Sequence, residues 1–269
     1  MLLVGAESTA QKIDLPSADA AANAVGKFFH EWNTASNERL RTAVRYPMLT
    51  LFGNRLIVSN EKRPFFVDFE QMRENEDWSR SALGETRISV ATPEQAHAVV
   101  SYSRENTDGA VYRSGRVFYI VTQQGGEWRI QLRSPMGEDT DKEKALAIAK
   151  DVIARFFVGW NGENNAAIHE TINFPHAFLI RAGRTAIAEK PEDLITDFAA
   201  MREREGWDES RYNSLEIAHA DERLILAYLT FTRHHADGEV YRRVPVLWML
   251  TRGQDGEWGI QVRAILGSV

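Results

Sequence analysis

The sequence predicts an α+β protein built as two tandem domains, 17–138 and 139–269, each with helices first and a meandering antiparallel sheet after them. A long internal repeat, and a switch within each copy from helical spacing to strict alternation, carry that reading. The stretch from Arg104 through Asp108-Gly109 to Val111-Tyr112-Arg113 returns as Arg233, Asp237-Gly238 and Val240-Tyr241-Arg242. Phe28-Phe29 with Trp32-Asn33 returns as Phe156-Phe157 with Trp160-Asn161, Leu40 with Val44 as Ile168 with Ile172, and Tyr46-Pro47 as Phe174-Pro175, all at an offset of 128. The offset becomes 129 for Asp68-Phe69 against Asp197-Phe198 and for Trp78 against Trp207, then 130 for Glu127-Trp128 and Ile130-Gln131 against Glu257-Trp258 and Ile260-Gln261. Each slip falls in a loop or turn. About 120 residues per copy is the length of a domain, not of a solenoid unit.

In copy one, Ser17 to Trp32 reads as a helix, with Ser17 or Asp19 as its cap and Val25, Phe28, Phe29 and Trp32 at helical spacing. Asn33 to Asn37 break it. A second helix carries Leu40 and Val44 and stops before Tyr46-Pro47, because proline disfavours helix in the residue ahead of it. A strand, Met48 to Phe52, runs to the turn Gly53-Asn54. Pro64 opens a third helix with Phe65, Phe69 and Met72 on one stripe, and Trp78 lies beyond its end. Period-two strands follow near 86–91, 94–105, 111–122 and 128–134. The linker Pro135 to Asp139 is polar, and Thr140 with Glu143 has the spacing of a capping box for the next helix.

The 269 residues, 43% hydrophobic, suffice for two ordinary cores. A net charge of −6 without a basic run gives no footprint for nucleic acid or an acidic membrane. Cysteine is absent, so disulfides, thiol nucleophiles and thiolate metal sites are excluded together. Met1 to Ala6 is too short for a secretory signal and reads as a frayed tail, and no stretch has the length of a membrane span, so the cytoplasm is the expected compartment. There is no Gly-rich phosphate loop, His-Glu-x-x-His or nucleophile elbow, and no cofactor is expected.

The element order resembles the nuclear transport factor two-like superfamily, which includes SnoaL-like polyketide cyclases and ketosteroid isomerases. An uncharacterised bacterial branch is similar in wording: Phe174-Pro175-His176, Glu205-Gly206-Trp207-Asp208, Phe231-Thr232-Arg233 with Asp237-Gly238, and Gly256 to Gln261 with Arg263. The resemblance implies two cystatin-like domains, each a curved sheet wrapped around three helices with a conical pocket. It also implies a face-to-face pairing of the two copies as a pseudo-dimer within one chain, itself a monomer or a homodimer. The acidic residues of the isomerases have no matched positions here, so that reaction does not carry over.

Alternation along the strands selects the pocket candidates. Tyr102 with Arg104, and Phe231 with Arg233, end the apolar faces of matched strands; Tyr119 and Trp248 sit on the next strand, and Trp32 and Trp160 face them from the first helix. Arg104 and Arg233 are expected to receive a carboxylate or enolate oxygen, or else to form a structural ion pair, for example with Asp68 or Asp197, or to leave the sheet for solvent. The aromatics are equally readable as plain core. Five of the seven histidines lie in copy two, where His176 replaces Met48, so titration near neutrality is expected there. His176, Arg233 and Asp197 are the catalytic candidates. His234 and His235 point to opposite faces and make poor joint metal ligands. The leading expectation is binding of a small, apolar or carboxylate-bearing molecule. The others are an acid/base cyclase or isomerase working through the copy-two pocket, and an interaction module with filled pockets.

Overall fold

The computed structural model describes residues 13–181 and 184–266, so the expectation for Met1 to Ala6 lies outside the described residues. Each copy forms a six-stranded sheet with three helices. Copy one runs α1 (Leu15–Asn33), α2 (Asn37–Arg41), β1 (Val44–Phe52), β2 (Arg55–Ser59), α3 (Phe69–Glu76), β3 (Trp78–Ala91), β4 (Gln95–Asn106), β5 (Val111–Gln124) and β6 (Glu127–Met136). Copy two repeats this as α4 (Lys142–Asn161), α5 (Asn165–His169), β7 (Ile172–Arg181), β8 (Arg184–Ala188), α6 (Phe198–Glu205), β9 (Glu209–Ala220), β10 (Leu224–His234), β11 (Val240–Arg252) and β12 (Trp258–Ile265). The strand orders are β2-β1-β6-β5-β4-β3 and β8-β7-β12-β11-β10-β9.

Several expectations are corrected. The sheets are mixed, because β1 pairs parallel to β6 and β7 parallel to β12. The second helix is one short element, and Val44 already belongs to β1, which carries Tyr46-Pro47 within it. The third helix begins at Phe69, not Pro64, because Asp68 caps it by accepting from the Gln71 amide. Asp14 caps α1 in place of Ser17 or Asp19, and Asp141 caps α4 in place of the expected box.

Alternation decides what each sheet face buries. On β5, Val117, Tyr119 and Val121 join the helices of copy one, while Phe118 and Ile120 point to the other side. On β11, Val246, Trp248 and Leu250 face the helices, whereas Leu247 and Met249 do not. The outward residues of both sheets meet in one apolar layer, including Leu49, Leu51, Ile120 and Leu132 from copy one and Leu226, Leu247, Met249 and Val262 from copy two. The two copies thus pair through their sheets as a pseudo-dimer within the chain.

His97, Gln131 and Gln261, buried in that layer, are paired. Tyr228 Oη lies 2.7 Å from His97 Nδ1 and the rings stack at 5.7 Å; Gln95 Nε2 holds the other ring nitrogen at 2.8 Å. The Gln131 side-chain amide donates to Thr185 Oγ1 at 3.0 Å, and that of Gln261 donates to Asn54 O at 2.8 Å, so each sheet grips the β1–β2 or β7–β8 arm of the other copy.

Leu247 is fully buried in this layer. Leu247→Ala is expected to cost about 2–5 kcal/mol of stability, read as a lower urea midpoint. A cost near zero would mean that the inter-sheet layer does not contribute to folding.

Candidate functional site

The helices and the concave face of each sheet enclose a cone. Its frame is set by a duplicated clamp: Asn33 donates to Ser81 O at 2.9 Å and accepts from the Ser81 amide at 2.8 Å, and Asn161 makes the same pair of bonds with Ser210 at 2.9 and 2.9 Å. The indoles of Trp78 and Trp207 donate to the hydroxyls of those serines at 3.1 and 2.9 Å. The matched Trp-Asn wording is therefore structural.

In copy one the structure brings the expected residues together. Trp32, Tyr102, Arg104 and Tyr119 line a cavity of about 30 Å³, joined by Arg133 from β6. The Arg133 guanidinium lies 5.3 Å over the Trp32 ring. Its Nε is buried without a hydrogen-bond partner, and so is Trp32 Nε1. Burial pushes the Arg133 pKa below its ordinary value, and Arg104 acts in the same direction while Tyr119 and Tyr102 oppose it. Burial also raises the Tyr119 phenol to about 12, so it stays protonated.

In copy two the corresponding rings pack closely on one another. Trp248 meets Phe156 edge-on at 4.8 Å and stacks on Phe157 at 6.0 Å; Trp160 stacks on Phe156 at 5.7 Å, and Phe231 lies 5.8 Å from Phe157. One cause is visible opposite the aromatic of β4 and β10. Tyr102 pairs across the strand with Gly115, where an added Cβ would come within 3.0 Å of the Tyr102 hydroxyl, so the ring leans over the glycine. Phe231 instead faces Val244, whose buried side chain occupies that space.

His176, expected to carry chemistry, is 1% exposed and accepts at Nε2 from Arg263 Nε at 3.1 Å. That donor leaves the proton on Nδ1, which faces Ile260 O at 3.3 Å. Burial, and next the Arg263 charge, hold His176 well below the ordinary histidine range, so it is neutral at pH 7. Arg263 lies over Phe156 and Phe178 at 5.4 and 4.7 Å, and burial lowers it to about 10, still charged. Copy one has Met48 in place of His176, which leaves Arg133 Nε without the acceptor that Arg263 has.

The other candidates have separate partners. Arg104 and Arg233 do form ion pairs, with Glu76 at 2.6 Å and Glu205 at 2.5 Å, not with Asp68 or Asp197. Tyr112 donates to Glu76 at 3.0 Å; although burial would raise Glu76, this bond and the charges of Arg104 and Arg113 hold it below the ordinary carboxylate range. Asp197 is exposed and caps α6 through the Ala200 amide, so it does not join His176 and Arg233 in one constellation. His234 bonds Thr232 and His235 bonds Gly206 O. No cluster of three metal-ligating side chains occurs among the described residues. Sequence reasoning missed Arg133 and Arg263. The available signal was that each follows the matched Ile-Gln pair by two residues.

His176 and His97 give a pH signature. Burial lowers His97 to about 3. Both are neutral in the fold but protonate near pH 6.5 when unfolded, so the unfolded state takes up protons that the native state refuses. Stability is therefore full above that pH and is lost as pH falls, on the order of 1.4 kcal/mol per pH unit for each histidine. His176→Met should flatten the decline of the urea midpoint between pH 7 and 5 by about half; an unchanged slope would show that His176 titrates normally.

Neither a family model nor a curated protein matches the chain. Solved structures do match, each over about half of it. A cystatin-like protein of unknown function from Nostoc punctiforme is 17% identical with a TM-score of 0.39, covering 48% of this chain and 93% of its own. A protein from Catenulispora acidiphila, solved in complex with S-DNPA, is 20% identical with a TM-score of 0.38, covering 46% and 94%. A ketosteroid isomerase-like protein from Erwinia carotovora atroseptica is 14% identical with a TM-score of 0.36, covering 45% and 93%. No helix among the described residues is long and apolar enough to cross a membrane. The chain carries, twice over, one α+β unit of helices on a six-stranded mixed sheet.

Proposed function

We propose that the chain binds a small carboxylate-bearing molecule, and that its working site is the cone of copy one, with Arg133 as receptor for the anionic oxygen. The observation that supports this is the buried, unpartnered Arg133 Nε beside a cavity, set against an otherwise equivalent Arg263 whose Nε is satisfied by His176. A buried charged donor without an acceptor is costly, and a ligand oxygen removes that cost. Trp32 Nε1 offers a second donor in the same cone, and the aromatic walls suit an apolar body. At about 30 Å³ the cavity takes a group of carboxylate size, with the rest of the ligand leaving past Tyr102. In copy two the neutral, enclosed His176 is a structural acceptor and not a proton carrier.

The interaction-module reading has one observation in its favour: the copy-one cavity lies far below the roughly 300–1,000 Å³ of ordinary ligand sites.

Thermal-shift titration with acetate, benzoate and phenylacetate, alongside the neutral benzamide, separates the two. A carboxylate at about 100 times its Kd should add roughly 2.7 kcal/mol, a shift of about 5–10 °C for a chain of this size. Arg133→Met and Gly115→Val should abolish the shift, the second by forcing Tyr102 into the cone, whereas Arg263→Met should preserve it. No shift with any carboxylate would move the assignment to the interaction module, and a shift lost equally with Arg263→Met would place the site in copy two.

A further inference from the structure

Two clefts open where the sheets face each other, at positions related by the repeat. One is occupied by the linker. There the Gly137 amide donates to Asp221 Oδ2 at 2.7 Å and the Thr140 amide to Ala220 O at 2.8 Å. The Asp139 carboxylate accepts from Arg116 at 3.2 Å and lies 2.7 Å from His219 Nδ1. That end of the inter-sheet seam is thus already seen holding a carboxylate on an arginine.

The related cleft lies where the Asp14 amide bonds Ala91 O at 3.1 Å, the counterpart of the Thr140 bond. It is an open cavity of about 760 Å³ between β3 of copy one and β9, β10 and β11 of copy two. This volume falls within the ordinary range for small-molecule sites. Its apolar floor is formed by Val90, Ile217, Leu229 and Leu266, all buried at 9% exposure or less. Three cations line it, Arg87, Lys142 and Arg243, and none forms an ion pair among the described residues. The one carboxylate among the described lining residues is Glu216. Inside, Ser214 Oγ is buried and has no hydrogen-bond partner, while the Tyr228 hydroxyl is fixed by His97 and Ser89 at 2.7 and 3.3 Å.

We infer that this inter-sheet cleft is a second binding site, separate from the cone, for an amphiphilic carboxylate: an apolar chain on the Val90–Leu229–Leu266 floor, its carboxylate against Arg87 and Arg243. The chemistry follows from the parts. The apolar floor offers an apolar body a surface to pack against. Cations without an ion pair beside it favour an anionic head. Lys142 adds charge at the rim, where it speeds encounter more than it adds affinity.

Isothermal titration of the full chain with decanoate at low salt tests this. Binding should be seen with decanoate and not with decyltrimethylammonium, and should weaken as salt is raised. The double variant Arg87→Glu with Arg243→Glu should weaken decanoate binding at least tenfold. Both side chains are exposed, so the fold should survive, and the milder pair Arg87→Gln with Arg243→Gln should give an intermediate loss. In the Arg133→Met background, where the receptor of the cone is gone, a decanoate-binding event should remain, and the further change of Arg87→Glu with Arg243→Glu should remove it, which separates this site from the cone. Absence of decanoate binding, equal binding of the cationic amphiphile, or binding indifferent to the double charge reversal would each overturn the inference.

Discussion

The structure depends on sheets that are buried on both faces. A curved sheet with helices on its concave side still exposes its outer face, and here each copy covers the outer face of the other. This is why β5 and β11 read as nearly unbroken apolar runs, Val117 to Val121 and Val244 to Leu250, where a one-sided sheet would alternate with polar residues. It also explains the expense of polar chemistry inside the seam. His97, Gln131 and Gln261 are fully buried there, and each is tied to a specific partner in the other copy.

Pairing within one chain has a consequence that pairing between identical chains lacks. In a homodimer every substitution appears in both cones, whereas in this chain one cone can change alone. The differences are concentrated where they matter: Met48 against His176, Tyr102 against Phe231, Gly115 against Val244, and Tyr119 against Trp248. In copy two the Arg263 Nε has His176 as its acceptor, whereas in copy one a small cavity lies beside Arg133, whose Nε has none. The two arginines, alike in position and in their stacking on an aromatic ring, differ in whether the protein itself satisfies them.

Much of this was legible in the sequence. The repeat, the helix-then-sheet order and the copy-one lining residues Trp32, Tyr102, Arg104 and Tyr119 all follow from spacing. The parallel pairing of β1 with β6 was not legible, because strand direction depends on where the chain returns after several intervening elements. Nor was β2, a five-residue arm whose role is set by the other copy. Spacing does not show which candidates touch one another. Histidines mark potential chemistry, and their excess pointed to copy two, but a histidine that is buried and accepts from an arginine is silenced by that contact. In copy one Met48 stands at that position and leaves Arg133 Nε without such an acceptor.

The same logic extends from the cones to the seam between the sheets. A chain that joins two copies end to end has one linker, so of two seam positions related by the repeat only one can receive it. Residues Gly137 and Asp139 take that position and bring the carboxylate that Arg116 meets. The related position keeps its cations, Arg87 and Arg243, without a carboxylate supplied by the linker. At the linker end Asp139 meets Arg116, whose counterpart at the other end is Pro245, so the two ends differ in the residues that line them.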